Sequence, residues 1–398
     1  MAEAPWLTII GLGEDGPDGL CAASRSALSA AEVVMGPPRH LALIDPGAAE
    51  LVPWPVPFAD GIDVLMGFRG RPVVVLASGD PFWFGAGAVL ARSLPRGDWH
   101  ALPGRSSFSL AAARMGWPLE RTGCFGLHAA PLSRLRPALA SGQRLVVLLR
   151  DGAAVAALAG YLAEAGFGAS RLTVMEALGG PRERLTPCRA DALPERAFAH
   201  PVCVALEVAG DGVALPLTPG RPDDWFETDG QITRAPVRAL TLSALAPRPG
   251  ETLWDIGGGS GAVGIEWLLS DPSLAATAIE PRADRAARIA RNAARLGVDR
   301  LRVIEGKAPE ALDGLAPPDA VFVGGGLTPG LLDLLATLPN GTRLVANAVT
   351  LETEALLTAA QARLGGSLLR IELSTIAPIG PKRGWKAGWP ITQWSHRL

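Results

Sequence analysis

Leu253-Trp254-Asp255-Ile256-Gly257-Gly258-Gly259-Ser260-Gly261 reads as a short strand that runs into a glycine loop. Glycines at 257, 259 and 261 let the backbone pass close to a ligand where a Cβ would collide. Further on, Glu280 ends the next apolar run, at the place where a carboxylate can accept both hydroxyls of a ribose. Loop and acid together imply a cofactor that contains adenosine. Gly259-x-Gly261-x-x-Gly264 also satisfies the dinucleotide pattern G-x-G-x-x-G. Asp255 favours S-adenosylmethionine over NAD(P), because an acid in the leading strand attracts the ammonium of the methionine part and repels a pyrophosphate. Both cofactors stay open on these residues alone.

Metal chemistry finds no support. Cys21, Cys124, Cys188 and Cys203 form no C-x-x-C pair, and His40, His100, His128, His200 and His396 have no metal-ligand spacing. Charge is balanced at 37 − 39 = −2 over 398 residues, so no general field draws the protein to nucleic acid or an anionic membrane. Apolar residues make up 48%, enough for a sizeable core. No apolar run is long enough to span a bilayer, and the N-terminus lacks the basic start of a secretory leader. A cytoplasmic protein is expected.

The elements that must position this chemistry follow from periodicity. Short β-branched runs at 7–10, 73–76, 145–149, 172–175 and 202–206 alternate with Ala/Leu-rich helical segments, an α/β pattern. Residues 210–224 are rich in Gly, Pro and Asp and read as a linker between domains at 1–209 and 225–398. Beyond it, strands are expected at 252–256, 276–279, 301–304, 320–323 and 343–346. Helical segments such as 281–296 and 328–338 follow them, the rhythm of a doubly wound sheet. A final pair, 367–376 and 389–394, is expected to add an antiparallel edge.

From Asp229 onward GQITRAPVRA, DIGGGSGAVGIE, EGKAPEAL, PDAVFVGGG and VANAVTLET follow one another. In this, residues 225–398 resemble the cobalamin-biosynthesis methyltransferases that methylate C15 of a corrin precursor and decarboxylate its C12 acetate. The resemblance implies a Rossmann-like fold and cofactor contacts at Thr233, Gly257, Gly258, Gly259, Ser260, Gly261, Glu280 and Ala308, beside Asp255 from the charge argument. The first half carries Thr8-Ile9-Ile10-Gly11-Leu12-Gly13, Ala77-Ser78-Gly79-Asp80-Pro81, Pro103-Gly104-Arg105-Ser106-Ser107 and Met175-Glu176-Ala177-Leu178-Gly179. These blocks resemble the tetrapyrrole methylases, in which the cofactor lies in a trough between two α/β lobes. That likeness implies contacts at Ser78, Gly79, Asp80, Trp83, Ser106, Ser107 and Ala205. Where those methylases continue G-x-G-P-G-D, this chain has Gly13-Glu14-Asp15-Gly16-Pro17-Asp18.

The two halves in this order resemble the fused decarboxylating C5,15-methyltransferases. This implies one S-adenosylmethionine per domain and a precorrin-6B substrate methylated at C5 and C15, with precorrin-8 as product. A homo-oligomer without nucleic-acid or membrane partners is expected. Two other readings fit some of the residues: a nucleotide-dependent oxidoreductase with a regulatory first half, and a non-catalytic tetrapyrrole-binding protein.

Several features have plainer readings. Asp80 before proline is a common turn start. Arg282, Arg285, Arg288, Arg291 and Arg295 form one helical stripe, read as a solvated face. Trp385, Trp389 and Trp394 suit packing, although Trp385 with Lys382 and Arg383 could meet a flat macrocycle and its carboxylates. Asn347, after the fifth strand of the second domain, is a candidate catalytic residue by position alone.

Overall fold

The computed structural model describes residues 5–398. They form two compact units. One runs to Leu132 and resumes at Ala138–Val213; the other takes in Ser133–Pro137 and Ala214–Leu398. The changeover lies within 210–224, and this stretch is tied down on both sides. Gly212 N–H donates to the Gly166 carbonyl at 2.9 Å, while Gly220 and Arg221 N–H groups donate to the Glu266 carboxylate at 2.7 and 3.0 Å.

The first unit holds two sheets. Strands β1 (Leu7–Leu12), β2 (Val33–Gly36), β3 (Glu50–Pro53), β4 (Val73–Ser78) and β5 (Trp99–Leu102) form a parallel sheet in the order β3-β2-β4-β1-β5. All six residues of β1 are buried, as expected of a parallel sheet covered on both faces. Alternate residues serve opposite faces: Leu7, Ile9, Val73 and Val75 enter one core cluster, and Ile10, Leu12, Val74 and Leu76 the other. The second sheet contains β6 (Gly123–Gly126), β7 (Arg144–Leu149), β8 (Arg171–Glu176), β9 (Arg184–Arg189) and β10 (Val202–Glu207), in the order β6-β7-β10-β8-β9. Its β6–β7 pairing is parallel and the other three pairings are antiparallel. The sequence reading misses β2, β3, β5, β6 and β9. Four of these have only four residues, and β9 is an exposed edge strand interrupted by Pro187, so none presents a long apolar run.

The second unit carries β11 (Thr252–Ile256), β12 (Ala275–Glu280), β13 (Arg302–Glu305), β14 (Ala320–Val323), β15 (Arg343–Ala348), β16 (Ser367–Ile371), β17 (Ser374–Ile379), β18 (Lys382–Ala387) and β19 (Ile391–Arg397). Seven of them form one sheet, ordered β13-β12-β11-β14-β15-β19-β16. The expected antiparallel edge is corrected here. β19 is antiparallel but sits between β15 and β16, and β16 at the edge runs parallel to the rest. The run expected at 367–376 breaks at Glu372–Leu373, and its second part pairs with β18 in a separate two-stranded hairpin. Among the described residues no helix is long and apolar enough to cross a membrane.

Candidate functional site

In the first unit, the loops after β1, β4 and β5 meet at their carboxyl ends, backbone against backbone. A Cβ on Gly11 would lie 1.8 Å from the Gly79 carbonyl oxygen, and that oxygen accepts from Gly104 N–H at 3.0 Å. Three of the four motif blocks are thereby drawn together by glycines that admit no side chain. Beside them opens a cavity of about 630 Å³, within the range of roughly 300–1,000 Å³ found for small-molecule sites.

Ser78, Gly79, Asp80, Trp83, Ser106 and Ser107 all line this cavity. Ser106 caps the helix Ser107–Met115, accepting from Ser109 N–H at 3.0 Å. Asp80 accepts from Phe82 N–H at 2.9 Å, so it starts a turn as well as lining the cavity. Ser78 Oγ accepts from the Arg39 guanidinium at 2.6 Å and lies 3.4 Å from His40 Nε2. His40 is buried, which with the Arg39 charge pushes it down to about 3 and keeps it neutral. Glu14, standing where the methylases have proline, binds Arg39 and Arg182 at the rim. Ala205 is absent from the lining: it is buried in the core with Phe108, Val146 and Met175, on the same face of β10 as Cys203 but further along the strand than the cavity reaches. Its neighbour Cys203 faces the cavity.

In the second unit the glycine loop leaves β11 and crosses to the end of β12. Gly257 and Gly258 N–H groups donate to the Ile279 carbonyl at 2.9 and 3.2 Å. Gly257, Gly259 and Gly261 have φ of +73°, +59° and +75°, the left-handed region glycine favours. Gly257 has a packing reason too, since a Cβ on it would lie 2.7 Å from the Gly325 carbonyl oxygen in the loop after β14. Glu280 is buried at the end of β12, its two oxygens accepting from Gly259 and Arg282 N–H at 2.9 and 3.1 Å. A carboxylate so held keeps lone pairs for ribose hydroxyls. Asp255 is 1% exposed and accepts from Gly264 N–H at 2.9 Å. Ala308 is buried close by, where Gly306 N–H donates to the Glu280 carbonyl.

A strap at residues 227–233 lies along this loop. Asn292 joins the two. Its Oδ1 accepts from Glu227 N–H at 2.8 Å, and its Nδ2 donates to the Glu227 and Ser260 carbonyls at 3.0 and 2.9 Å. Arg285 binds Asp229 and Gln231 at 2.8 Å each, Arg288 reaches Asp229 at 3.2 Å, and Arg291 binds Glu227 at 3.1 Å. Arg285, Arg288 and Arg291 of the helix Ala283–Arg295 therefore form a seam against the strap, correcting the solvated-face reading for these three, whereas Arg282 pairs with Asp284 on an exposed side. The Arg285 guanidinium holds the Asp229 carboxyl well below the usual carboxylate range. Thr233 ends the strap, with its carbonyl accepting from Arg238, and Arg238 is fully buried against Glu266 at 2.8 Å. Asn292, Arg238 and Glu266 escaped the sequence reading. The only signal was the coincidence of acids at 227 and 229 with arginines spaced three and four apart.

Other expected residues are placed differently. Asn347 has both ends of its amide engaged: Nδ2 donates to Thr241 at 3.0 Å and Oδ1 accepts from Gln393 at 2.9 Å. Lys382, Arg383 and Trp385 do not form one wall. They lie on β18 of the hairpin, where Lys382 and Arg383 point to opposite faces by strand alternation, and Trp385 is 75% exposed. Trp394 is core, its indole donating to the Gly365 carbonyl at 3.0 Å. Among the described residues no group of His, Cys, Asp or Glu is arranged to hold a metal ion.

Both units match known families. A profile for tetrapyrrole (corrin/porphyrin) methylases matches residues 6–194, and one for a precorrin methyltransferase domain matches 224–398. The chain is 51% identical to a Sinorhizobium precorrin-6Y C(5,15)-methyltransferase [decarboxylating], covering 98% of this chain and 96% of that protein. The chain belongs to the decarboxylating precorrin C5,15-methyltransferase family. A further family member, from Mycobacterium tuberculosis strain ATCC 25618 / H37Rv, is 42% identical over 98% of this chain and 99% of its own length. A crystal structure of the C-terminal domain of precorrin-6Y C5,15-methyltransferase from Rhodobacter capsulatus is 53% identical, covering 46% of this chain and 100% of that one, with a TM-score of 0.45. The family's chemistry is C-methylation with decarboxylation in cobalamin biosynthesis, and S-adenosylmethionine is the methyl donor such chemistry implies.

Proposed function

We propose that this chain methylates C5 and C15 of the precorrin-6 macrocycle (precorrin-6B; precorrin-6Y in its relatives' names) and removes the C12 acetate carboxyl to give precorrin-8. Residues 1–209 serve C5 methylation, residues 225–398 serve C15 methylation and decarboxylation, and each binds one S-adenosylmethionine. The observation that carries this reading is the pair of unlike sites, the cavity over β1 and β4 and the glycine loop with Glu280. When bound, the cofactor supplies an electrophilic methyl group. The protein has to hold an electron-rich carbon in line with it, a proximity effect worth up to about 7–11 kcal/mol. In the second unit Glu280 holds the ribose, while Asp255 and the glycine loop fix the methionine part. In the decarboxylation the C–C bond to the acetate carboxyl breaks, its electron pair enters the conjugated imine system, CO₂ departs, and a proton from solvent restores the methyl. Mass spectrometry of the macrocycle after incubation tests this: two added methyl groups and one lost CO₂ support it, and an unchanged macrocycle sinks it.

Asp255 carries a pH dependence. Burial, aided by the Glu280 charge, pushes its carboxyl up to about 7. The folded value lies above the ordinary value near 4, so the folded state binds the extra proton between them, and stability falls as pH rises from about 4 to about 7. A cofactor ammonium favours the ionised form. Binding at the second unit is therefore expected to release a proton near pH 7 and to tighten from pH 6 to 8. Calorimetry with S-adenosylhomocysteine in buffers of unlike ionisation enthalpy reads that proton, and Asp255→Asn is expected to remove it.

The hairpin supports self-association. Ile376 and Trp385 are cross-strand partners, 61% and 75% exposed, on a two-stranded sheet of a kind marginal in water alone. A second copy of the chain covering this face gives a homo-oligomer. Light scattering is expected to report a multimer that Trp385→Glu dissociates; a monomeric parent chain refutes it.

A further inference from the structure

The backbone of Phe84 is in the left-handed region, φ +57°, where a bulky residue is strained. Its side chain is nonetheless half exposed and lines the cavity of the first unit. The ring is seated in a notch: a Cβ on Gly126 would lie 2.5 Å from it, and the buried Phe108 ring backs it at 5.8 Å between centroids. Strain held in place by such a seat, on an aromatic face turned to a cavity, is a mark of ligand contact.

Gly126 ends β6 opposite Leu148 of β7. Two residues beyond each stand His128 and Arg150, both lining the cavity and joined by Arg150 Nε–H donating to the His128 carbonyl at 3.1 Å. That bond orients the guanidinium and leaves its outer fork free to take a carboxylate. Arg39 and Arg105, which line the same cavity, are paired with Glu14 and Asp15, whereas Arg150 has no ion pair among the described residues. An unneutralised guanidinium beside a fixed aromatic face suits a flat ring system with carboxylates on its rim.

We propose that Phe84 and Arg150 form the substrate subsite of the first unit, with the Phe84 ring against the macrocycle face and the Arg150 fork on one peripheral carboxylate. This rests on the C5 assignment above. The test uses the full chain carrying Gly259→Arg, so that only the first unit transfers methyl. Arg150→Ala is expected to raise KM for the macrocycle about ten- to a hundredfold, as for losing a hydrogen bond between charged groups, with S-adenosylhomocysteine affinity at the first unit within about twofold of the parent. Arg150→Lys is expected to recover part of the loss, and Phe84→Ala to raise KM in the same way. An Arg150→Ala KM within twofold of the parent, or a loss of cofactor affinity that accounts for the whole effect, overturns the subsite. If the parent transfers no methyl to C5, the C5 assignment fails instead. Macrocycle binding followed by its visible absorbance then decides the subsite on the same criteria.

Discussion

Gly259→Arg is expected to abolish methyl transfer to C15 and the loss of CO₂, while the first unit continues to bind S-adenosylhomocysteine. Gly259 has φ +59°, and the nearest atoms to an added Cβ are the Gln231 and Gly257 carbonyl oxygens at 3.8 and 3.9 Å. A Cβ has room, so the effect comes from what extends beyond it, into the space between loop and strap where the cofactor is to lie. The backbone cost is about 1–2 kcal/mol. Even a misplacement of about 1 Å costs roughly a hundredfold in rate, and a filled site costs more. Gly250→Arg is the control: its φ is +83° and its Cβ meets open space, so it carries a like strain away from the site. Product mass and calorimetry read the outcome. C15 methylation retained by Gly259→Arg would remove the second unit from the reaction.

Asn292→Ala is expected to lower the stability of the second unit by about 2–4 kcal/mol and its cofactor affinity at least tenfold. The side chain is fully buried, and its amide connects the strap at Glu227 to the glycine loop at Ser260. Truncation leaves one N–H and two carbonyls without this partner, each costing about 1–3 kcal/mol if no water reaches it. Asn292→Asp is expected to do no better, because it keeps the acceptor for Glu227 N–H but sets a carboxylate against two carbonyl oxygens. Arg285→Ala removes a less buried tether and is expected to weaken cofactor binding with a smaller loss of melting temperature. Affinity unchanged in Asn292→Ala, with only the melting temperature lowered, would show that the strap does not cover the cofactor.

The legible part of this protein was local. Glycines at 257, 259 and 261 are needed wherever backbone must turn left-handed against a ligand, and Glu280 at a strand end needs only its own run of sequence to be recognised. The bounds expected for β11 and β14 coincide with those observed, because buried parallel strands are bare apolar runs between turn residues. The resemblance carried the rest of the chemistry, since ordered motif blocks survive without any knowledge of contacts.

What only the tertiary structure decided were choices of partner across the chain. An arginine stripe looks the same whether it faces water or the acids of a strap more than fifty residues away, and here Arg285 and Asp229 meet. Asn347 and Ala205 stand at expected strand positions, yet one is bound by Thr241 and Gln393 and the other is packed under Phe108. Lys382 and Arg383 are neighbours in sequence and opposed in space, because a strand turns successive side chains to opposite faces. Periodicity and glycine geometry are properties of a few consecutive residues. Pairing, register and burial depend on which distant surface arrives, and that is set by the packing of the whole unit.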